Sequence, residues 1–389
     1  MNANIKKTVS VNSKILKDLS LKIHSNPELC LEEFKACKWQ LEILRKLGFK
    51  IQNPFCGMKT AYKAVKGKGK PAVAFLAEYD ALPEIGHACG HNLIAPCSIA
   101  AAEAFYQELK RIGGSGSVII LGTPAEEGKG GKIRMVEEGA FDGIDLALMA
   151  HPDSKTSEWL GFLAIRRFFV EFFGLSAHAA AAPEKGLNAL DATMLMFHAV
   201  NAMRQHVKDG SRMHGIVNNG GNAPNIIPEY SSSTFYLRAA TEKNLKEIVS
   251  RFQDIVKGAA LMTGVKFKIT EDKDSYKAGL TIKALNDEFI SAATDAGLKN
   301  IVSKQGMGSS DFGDVSQVVP SLHAYFSVTD KQCPLHSKEF QKEAAKERAF
   351  EEMFKTAEIL AGIAIKFQSN EAFRAKVSSE FKKNLKNCS

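Results

Sequence analysis

The chain has 389 residues, of which 45% are hydrophobic and 24% are charged, and its formal net charge is +8. This length suits two domains of roughly 150 residues each, and the composition is that of an ordinary soluble globular protein. The positive charge is spread along the chain without aromatic residues at nucleic-acid-binding spacing, and no apolar run is long enough to span a membrane. We therefore expect neither a nucleic-acid partner nor membrane association.

The seven cysteines are odd in number and scattered through the sequence. A chain of this size does not need disulfides to be stable, so this usage predicts reduced thiols and a cytoplasmic protein. The first twenty residues are rich in lysine but lack the continuous apolar core of a signal peptide.

The first part of the chain alternates helices with apolar strands. The predicted helices are two within 14–47, broken at Asn26-Pro27, and one each at 98–110 and 131–138; the predicted strands are 61–65, 72–77, 117–122 and 146–150. The first two strands are expected to form a hairpin or to lie side by side. Alternation of this kind predicts an α/β domain with a doubly wound, mostly parallel sheet.

The pattern changes near residue 161 to β-α-β-β-α-β, which predicts a ferredoxin-like domain inserted into the first one. Its predicted strands are 162–173, 213–217, 233–239 and 265–270, and its predicted helices are 183–206 and 242–262. The first domain then resumes, with a helix at 281–296, a loop at 306–311, a strand at 322–328, a closing helix at 340–367 and a basic solvated tail. The predicted domains are therefore 1–160 with 275–389, and 161–274.

Metal-binding side chains occur in four loops, each after an apolar run. They are Cys89 and His91, the pair Glu126-Glu127, His151, and His336. Thiolate, imidazole and carboxylate groups suit zinc-like divalent ions, and loops at the carboxyl ends of strands meet at one edge of a sheet. Together they predict a two-ion hydrolytic centre. We expect the other histidines, His24, His198, His206, His214 and His323, to be packed or solvated.

Seven short motifs, in this order, resemble one family. They are His87-Ala88-Cys89-Gly90-His91, Thr123-Pro124-Ala125-Glu126-Glu127-Gly128, Ala150-His151-Pro152, Ser176-Ala177-His178, Asn225-Ile226-Ile227-Pro228, Ser310-Asp311-Phe312 and Pro334-Leu335-His336-Ser337. Together they resemble the amidohydrolase branch of the dinuclear M20 metallopeptidases, which includes aminoacylases and carboxypeptidase G. The segments 78–83 and 309–315 are most similar to p-aminobenzoyl-glutamate hydrolases and dipeptidase-like members.

The resemblance implies a metal centre in the first domain, with zinc or manganese as the expected ions and cobalt or nickel as alternatives. Cys89 would be shared by both ions, and the shells would be completed by His91, Glu127, His151 and His336. Glu126 would be the general base. Asp80 would orient a liganding imidazole, although a turn or helix cap is an alternative for Asp80 and for Asp311.

A ferredoxin-like insert commonly pairs edge to edge, so we expect the inserted domain to form a homodimer. The resemblance implies further roles for residues of this domain. His178 would reach the site of the other subunit and stabilise the developing oxyanion. Asn225 and Arg238 would hold the carbonyl or carboxylate of the substrate, since a guanidinium suits a carboxylate. The alternatives are that Asn225 serves a turn and that Arg238 is a solvated strand residue.

Two positions depart from the pattern of the family. Asn92 stands where many members have Asp. Glu78 stands where other branches use a histidine ligand, and we expect it not to bind metal because Cys89 and His91 are present.

Three functions remain open from the sequence. The first is a metal-dependent amidohydrolase that cleaves an N-acyl or aminobenzoyl amino acid or a small dipeptide by attack of a metal-activated water. The second is a non-catalytic binding or regulatory protein on the same scaffold. The third makes Cys89 a nucleophile with His91 as its base.

Overall fold

The computed structural model describes residues 2–272, 275–302 and 308–388, so the start of the predicted loop at 306–311 lies outside the described residues. The chain divides into two compact units. The first contains Met1–Gly161 and Gly279–Asn387, and the second contains Phe162–Ala278.

The elements alternate along much of the chain. The strands are β1 (Lys50–Gln52), β2 (Tyr62–Lys68), β3 (Ala72–Ala77), β4 (Gly116–Gly122), β5 (Leu146–Asp153), β6 (Thr156–Ser157), β7 (Ala164–Phe173), β8 (Arg212–Asn219), β9 (Tyr230–Ala239), β10 (Lys266–Glu271), β11 (Ile301–Val302) and β12 (Ser321–Ser327). The helices are α1 (Ala3–Ser25), α2 (Phe34–Lys46), α3 (His91–Arg111), α4 (Gly131–Glu137), α5 (Ala189–Met203), α6 (Glu242–Thr263), α7 (Lys283–Asp295), α8 (Phe312–Ser316), α9 (Lys338–Glu343), α10 (Glu347–Ser369) and α11 (Glu371–Cys388).

The first unit contains an eight-stranded sheet in the order β1-β2-β4-β3-β5-β12-β6-β11. Its centre, β4-β3-β5-β12, is parallel, whereas β1, β2 and β6 each make an antiparallel pairing. The predicted α/β class with a largely parallel sheet is confirmed. Parallel strands end at the same edge of the sheet, so the loops after β3, β4 and β5 lie together there.

The predicted pairing of the first two long strands is wrong, because β2 pairs with β4 and not with β3. All six residues of β3 are buried, as expected of a strand covered on both faces of the sheet, and β3 lies between β4 and β5. In β2 the last residues are exposed, and this strand lies outside β4.

The helix after the Cys89 loop begins at His91, earlier than the predicted start at residue 98, and it contains Pro96. Residues 91–105 of this helix are all buried, and their burial outweighs the hydrogen bond that the proline removes. The earlier start places His91 in the first turn of α3, directly after Gly90, which has a φ of 78°.

The end of the chain is helical where a solvated tail was expected. Helix α11 follows α10, and the predicted helix at 340–367 is divided into α9 and α10. Val377 of α11 is fully buried, and the Asn384 side chain donates to the carbonyl oxygen of Thr281. The basic residues that suggested a tail occupy one side of a helix whose other side packs.

The second unit has the strand order β10-β7-β9-β8, with every pairing antiparallel. The predicted ferredoxin-like domain is confirmed. Its core contains the fully buried rings of Phe168, Phe172, Phe235 and Phe252. The predicted helix at 183–206 is α5 flanked by two short 3₁₀ helices, because the Asn188 side chain caps α5 and begins it there.

In the described parts of the chain, none of the helices has the length and apolar character needed to cross a bilayer.

Candidate active site

The loops at one edge of the first unit's sheet bring five candidate metal ligands together. Ligand atoms of Cys89, His91 and His151 all lie within 4.8 Å of one another, and the same is true of Cys89, Glu127 and His336. The two groups have only Cys89 in common. A thiolate placed between two such groups suits a ligand shared by two cations.

The ring nitrogens of the two buried histidines are fixed by hydrogen bonds. His91 Nδ1 donates to Asp80 Oδ1 at 3.0 Å, and His151 Nδ1 donates to the carbonyl oxygen of Pro152 at 2.7 Å. These bonds leave the Nε2 atom of each ring to face the cluster, where His151 Nε2 lies 3.5 Å from Cys89 Sγ. Such outer bonds set the tautomer that a metal ligand needs.

In the part of the chain that the structure describes, two of the donor atoms lack a hydrogen-bond partner, which also fits a metal site. Within the described residues, His91 Nε2 and Glu127 Oε1 are buried and have no hydrogen-bond partner. Buried polar atoms are rarely left unpaired in proteins, so this pair of atoms points to a ligand. Imidazole, thiolate and carboxylate are the donor set expected for zinc-like cations.

The Cys89 thiol lies in a setting that resists ionisation without a cation. Burial, followed by the charge of Glu127, raises the pKa of Cys89 well above its usual range. A divalent cation reverses this effect, because it stabilises the thiolate directly.

Asp80 binds two parts of the cluster. Its Oδ1 accepts from His91, and its Oδ2 accepts from the backbone N–H of Glu127 at 2.9 Å. The carboxylate thus links the loop after β3 to helix α3 and to the loop after β4, instead of capping a turn or helix.

Glu126 is next to the candidate ligand Glu127, and both lie with His91 in a third group of atoms within 4.8 Å. Burial raises the pKa of Glu126 well above its usual value, and the charges of Glu78 and Asp311 add to that effect. A carboxylate with a raised pKa beside a metal site is suited to accept a proton near neutral pH.

Lys132, which the sequence did not single out, is fully buried beside this group. Its Nζ lies 2.6 Å from Glu78 Oε1 and 2.5 Å from Asp311 Oδ1, and its backbone N–H donates to Asp311 Oδ2 at 2.9 Å. Burial opposes a charge on Lys132, but the charges of Asp311 and Glu78 outweigh it and raise the pKa of the ammonium. Asp311 therefore pairs with Lys132, and its side chain does not cap α8.

The two positions that depart from the family pattern have different surroundings. Glu78 is buried, and its Oε2 lies 3.5 Å from His91 Nε2 while its Oε1 faces Lys132. Asn92 donates to Ser20 Oγ and to the carbonyl oxygen of Ala344, so its side chain joins helices away from the ligand atoms.

Left-handed backbone shapes the loops that carry the candidate ligands. Gly90, Ala125 and His336 have φ values of 78°, 65° and 63°. A Cβ on Gly90 would lie 2.5 Å from Pro152 Cγ, so only glycine fits between Cys89 and His91.

One of the histidines expected to be packed, His323, contacts the candidate ligand His151. His323 is buried, and its ring stacks on that of His151 with 5.6 Å between centroids. Burial, followed by the charge of His151, lowers the pKa of His323 well below its usual value, which keeps this ring neutral.

The remaining candidate residues belong to the second unit. His178 and Asn225 are exposed on neighbouring segments, joined by a hydrogen bond from the N–H of Ala179 to the carbonyl oxygen of Asn225. Arg238 is half-buried on β9, where burial and then the charge of Arg167 lower its pKa.

Hydrogen bonds define which nitrogen of the His178 ring is the donor. Its Nδ1 accepts from the backbone N–H groups of Ala180 and Ala181 at 3.3 and 3.2 Å. The proton of the neutral ring is therefore on Nε2, which is free to donate.

Comparison with known proteins gives three kinds of likeness. Residues 164–262 match a family model described as a peptidase dimerisation domain. The chain is 37% identical over 387 residues to a Xaa-Arg dipeptidase from Mus musculus, covering 94% of this chain and 89% of that protein. It is 34% identical to one of the subunits of p-aminobenzoyl-glutamate hydrolase from Escherichia coli, covering 68% of this chain and 60% of that protein.

A solved structure gives the same fold. A dinuclear metal-binding peptidase of the M20 family from Bacillus subtilis matches with a TM-score of 0.68 and 17% identity, over 92% of this chain and 99% of that one.

Proposed function

The chain belongs to the M20 family of metallopeptidases and amidohydrolases, and from that premise we propose which of its residues carry the reaction and which substrate it takes. The protein is a metal-dependent hydrolase of amide bonds, as are relatives named for dipeptide and p-aminobenzoyl-glutamate hydrolysis. The non-catalytic alternative has no support among those relatives.

We propose that Cys89 is the ligand common to two divalent ions, with His91 and His151 on one ion and Glu127 and His336 on the other. The observation that carries this proposal is the pair of ligand groups that share Cys89. Zinc or manganese is the proposed metal, with cobalt or nickel as alternatives. When bound, the ions supply Lewis acidity and lower the pKa of a water molecule.

Glu126 is the proposed general base. Its raised pKa and its place beside the ligand group allow it to accept a proton from the attacking water and to return that proton to the leaving amine. Asp80 keeps His91 in the tautomer that presents Nε2 and fixes the Glu127 backbone. In this proposal Cys89 is a metal ligand and not a nucleophile.

For the second unit we propose a role in substrate binding and in dimer formation. His178 donates from Nε2 to the oxyanion in the site of the other subunit, while Asn225 and Arg238 hold the substrate carbonyl or carboxylate. The match of residues 164–262 to a dimerisation domain supports a homodimer. Light scattering tests this proposal, and a strict monomer would rule out the cross-subunit role of His178.

We propose a dipeptide with a C-terminal basic residue as the first substrate to test, because the relative with 37% identity is a Xaa-Arg dipeptidase. N-acyl amino acids and p-aminobenzoyl-glutamate are the competing substrates. A panel of all three classes with the manganese-loaded protein ranks them by kcat/KM.

We also propose a cytoplasmic location. All seven cysteines are free thiols, which suits a reducing compartment. Cell fractionation followed by thiol labelling tests this proposal.

The catalytic proposal is tested by Glu126→Gln, which keeps the shape of the side chain but cannot accept the proton. We expect kcat to fall by about 10²–10⁴-fold while the bound metal is retained, because a general base contributes that much. A chelator should also abolish activity, and divalent ions should restore it. Full activity of Glu126→Gln, or activity that resists chelators but is lost on thiol alkylation, would favour the Cys89 nucleophile instead.

A further inference from the structure

The carboxylate of Glu33 is buried, although the residues on either side of it along the chain are exposed. Its side chain is 0% exposed, and it belongs to the turn between α1 and α2. Glu33 is neither a candidate ligand nor the proposed general base. Burying a carboxylate is costly, so its contacts require a reason.

Glu33 Oε1 accepts two backbone hydrogen bonds. One comes from the N–H of Leu31 at 2.8 Å, and the other comes from the N–H of Ala125 at 3.0 Å, 92 residues away in the sequence. Leu31 and Ala125 both have a φ of 65°, in the left-handed region that residues other than glycine rarely adopt. A single oxygen atom therefore stabilises two strained positions, of which one lies in the loop after β4.

The position of Ala125 connects this contact with the reaction. Ala125 immediately precedes Glu126, and the N–H of the residue after Glu126 donates to Asp80 Oδ2. The backbone on both sides of Glu126 is thus held by a buried carboxylate, Glu33 before it and Asp80 after it. This arrangement fixes the directions in which the side chains of Glu126 and Glu127 leave the loop.

We propose that Glu33 is a positioning residue, which holds the left-handed turn at Ala125 so that Glu126 faces the reacting water while Glu127 faces the metal. The proposal rests on the proposed roles of those two residues. Glu33 itself belongs to none of the three ligand groups, so it acts through the backbone of the loop.

Acceptance of the N–H, and not negative charge, is the property that matters. Burial, followed by the charge of Asp80, raises the pKa of Glu33 to about 7. A large part of the Glu33 carboxyl groups is therefore protonated near neutral pH. A neutral amide oxygen at the same place can accept both bonds. A shorter carboxylate keeps the charge but does not reach.

Two mild substitutions separate these properties. For Glu33→Gln we expect kcat and KM close to those of the wild type. For Glu33→Asp we expect kcat to fall by roughly 10–10²-fold with little change in KM, because small misplacements of catalytic groups cost that much. The matched control is Glu108→Asp. Glu108 is also a buried carboxylate that joins distant segments, since it accepts from Asn2 and Asn4, but it lies at the far end of α3. We expect the kcat of this variant to equal that of the wild type.

A second measurement does not depend on activity. Hydrogen–deuterium exchange of the metal-free protein over residues 123–131 should be faster in Glu33→Asp than in the wild type and unchanged in Glu33→Gln. If Glu126→Gln proves fully active, the proposed function fails, and the exchange data still decide whether Glu33 holds the loop. The proposal is overturned if Gln impairs kcat as much as Asp does, or if neither variant changes exchange in this segment.

Discussion

At the scale of single residues, the candidate site includes a buried cation that the motifs do not contain. Cys89, His91, Glu126 and Glu127 stand out in the sequence because they are crowded into short loops. Lys132 does not stand out, since one lysine at the start of a helix is ordinarily solvated. Its partner Asp311 lies 179 residues further along the chain, and only the fold brings the two together.

Lys132→Met should be strongly destabilising. The substitution leaves Glu78 and Asp311 buried without their cation, and removing one partner of a buried ion pair costs about 3–5 kcal/mol. Chemical denaturation measures the change in the free energy of unfolding.

The control for this prediction is Lys283→Met, in an exposed pair with Asp287 on α7, where we expect little change in the free energy of unfolding because solvent screens such pairs. A similarly small loss for Lys132→Met would mean that the two carboxylates are neutral in the folded protein without the lysine.

At the scale of elements, apolar patterns predicted which segments are helices and strands, but they did not predict which strands lie next to each other in every case. The continuous apolar runs predicted β3, β4 and β5, because burial on both faces leaves a direct trace in the sequence. The apolar pattern could not predict that β2 pairs with β4. The partner of β2 depends on which strand of the parallel sheet has a free edge, and that edge is defined only by the assembled fold. The early start of α3 was hidden by Pro96.

The contact between α1 and α3 gives a prediction on pH. Glu108 on α3 accepts from Arg111 and from the side chains of Asn2 and Asn4, and these bonds, with that from Arg111 first, lower the pKa of Glu108 from 4.5 to about 2. Because the folded-state pKa is the lower one, the stabilisation is complete above pH 4.5 and is lost as the pH falls toward 2.

The test compares wild type with Glu108→Gln by denaturation across that range. The difference in unfolding free energy should be constant near neutral pH and should shrink as the pH falls below 4.5. A difference that does not vary with pH would show that the Glu108 bonds do not depend on its charge.

At the scale of the whole molecule, the candidate metal centre is assembled from parts of the chain on either side of the inserted unit. Cys89 and Glu127 precede Phe162–Ala278, and His336 follows it, yet all three belong to the first unit. The strand β12 makes this possible, since it adds to the sheet beside β5. The order of the motifs predicted this assembly, whereas the contact of Glu33 with Ala125 could not be predicted, because a glutamate at a helix start usually serves its own helix.

The proposed chemistry depends most on Cys89 being common to two cations. Crystals of the zinc-loaded protein, measured at the zinc absorption edge, test this claim directly. We predict two anomalous peaks, each about 2.3 Å from Cys89 Sγ, the usual length of a zinc–sulfur bond. One peak alone, or peaks that lie away from Cys89 at saturating zinc, would contradict the account.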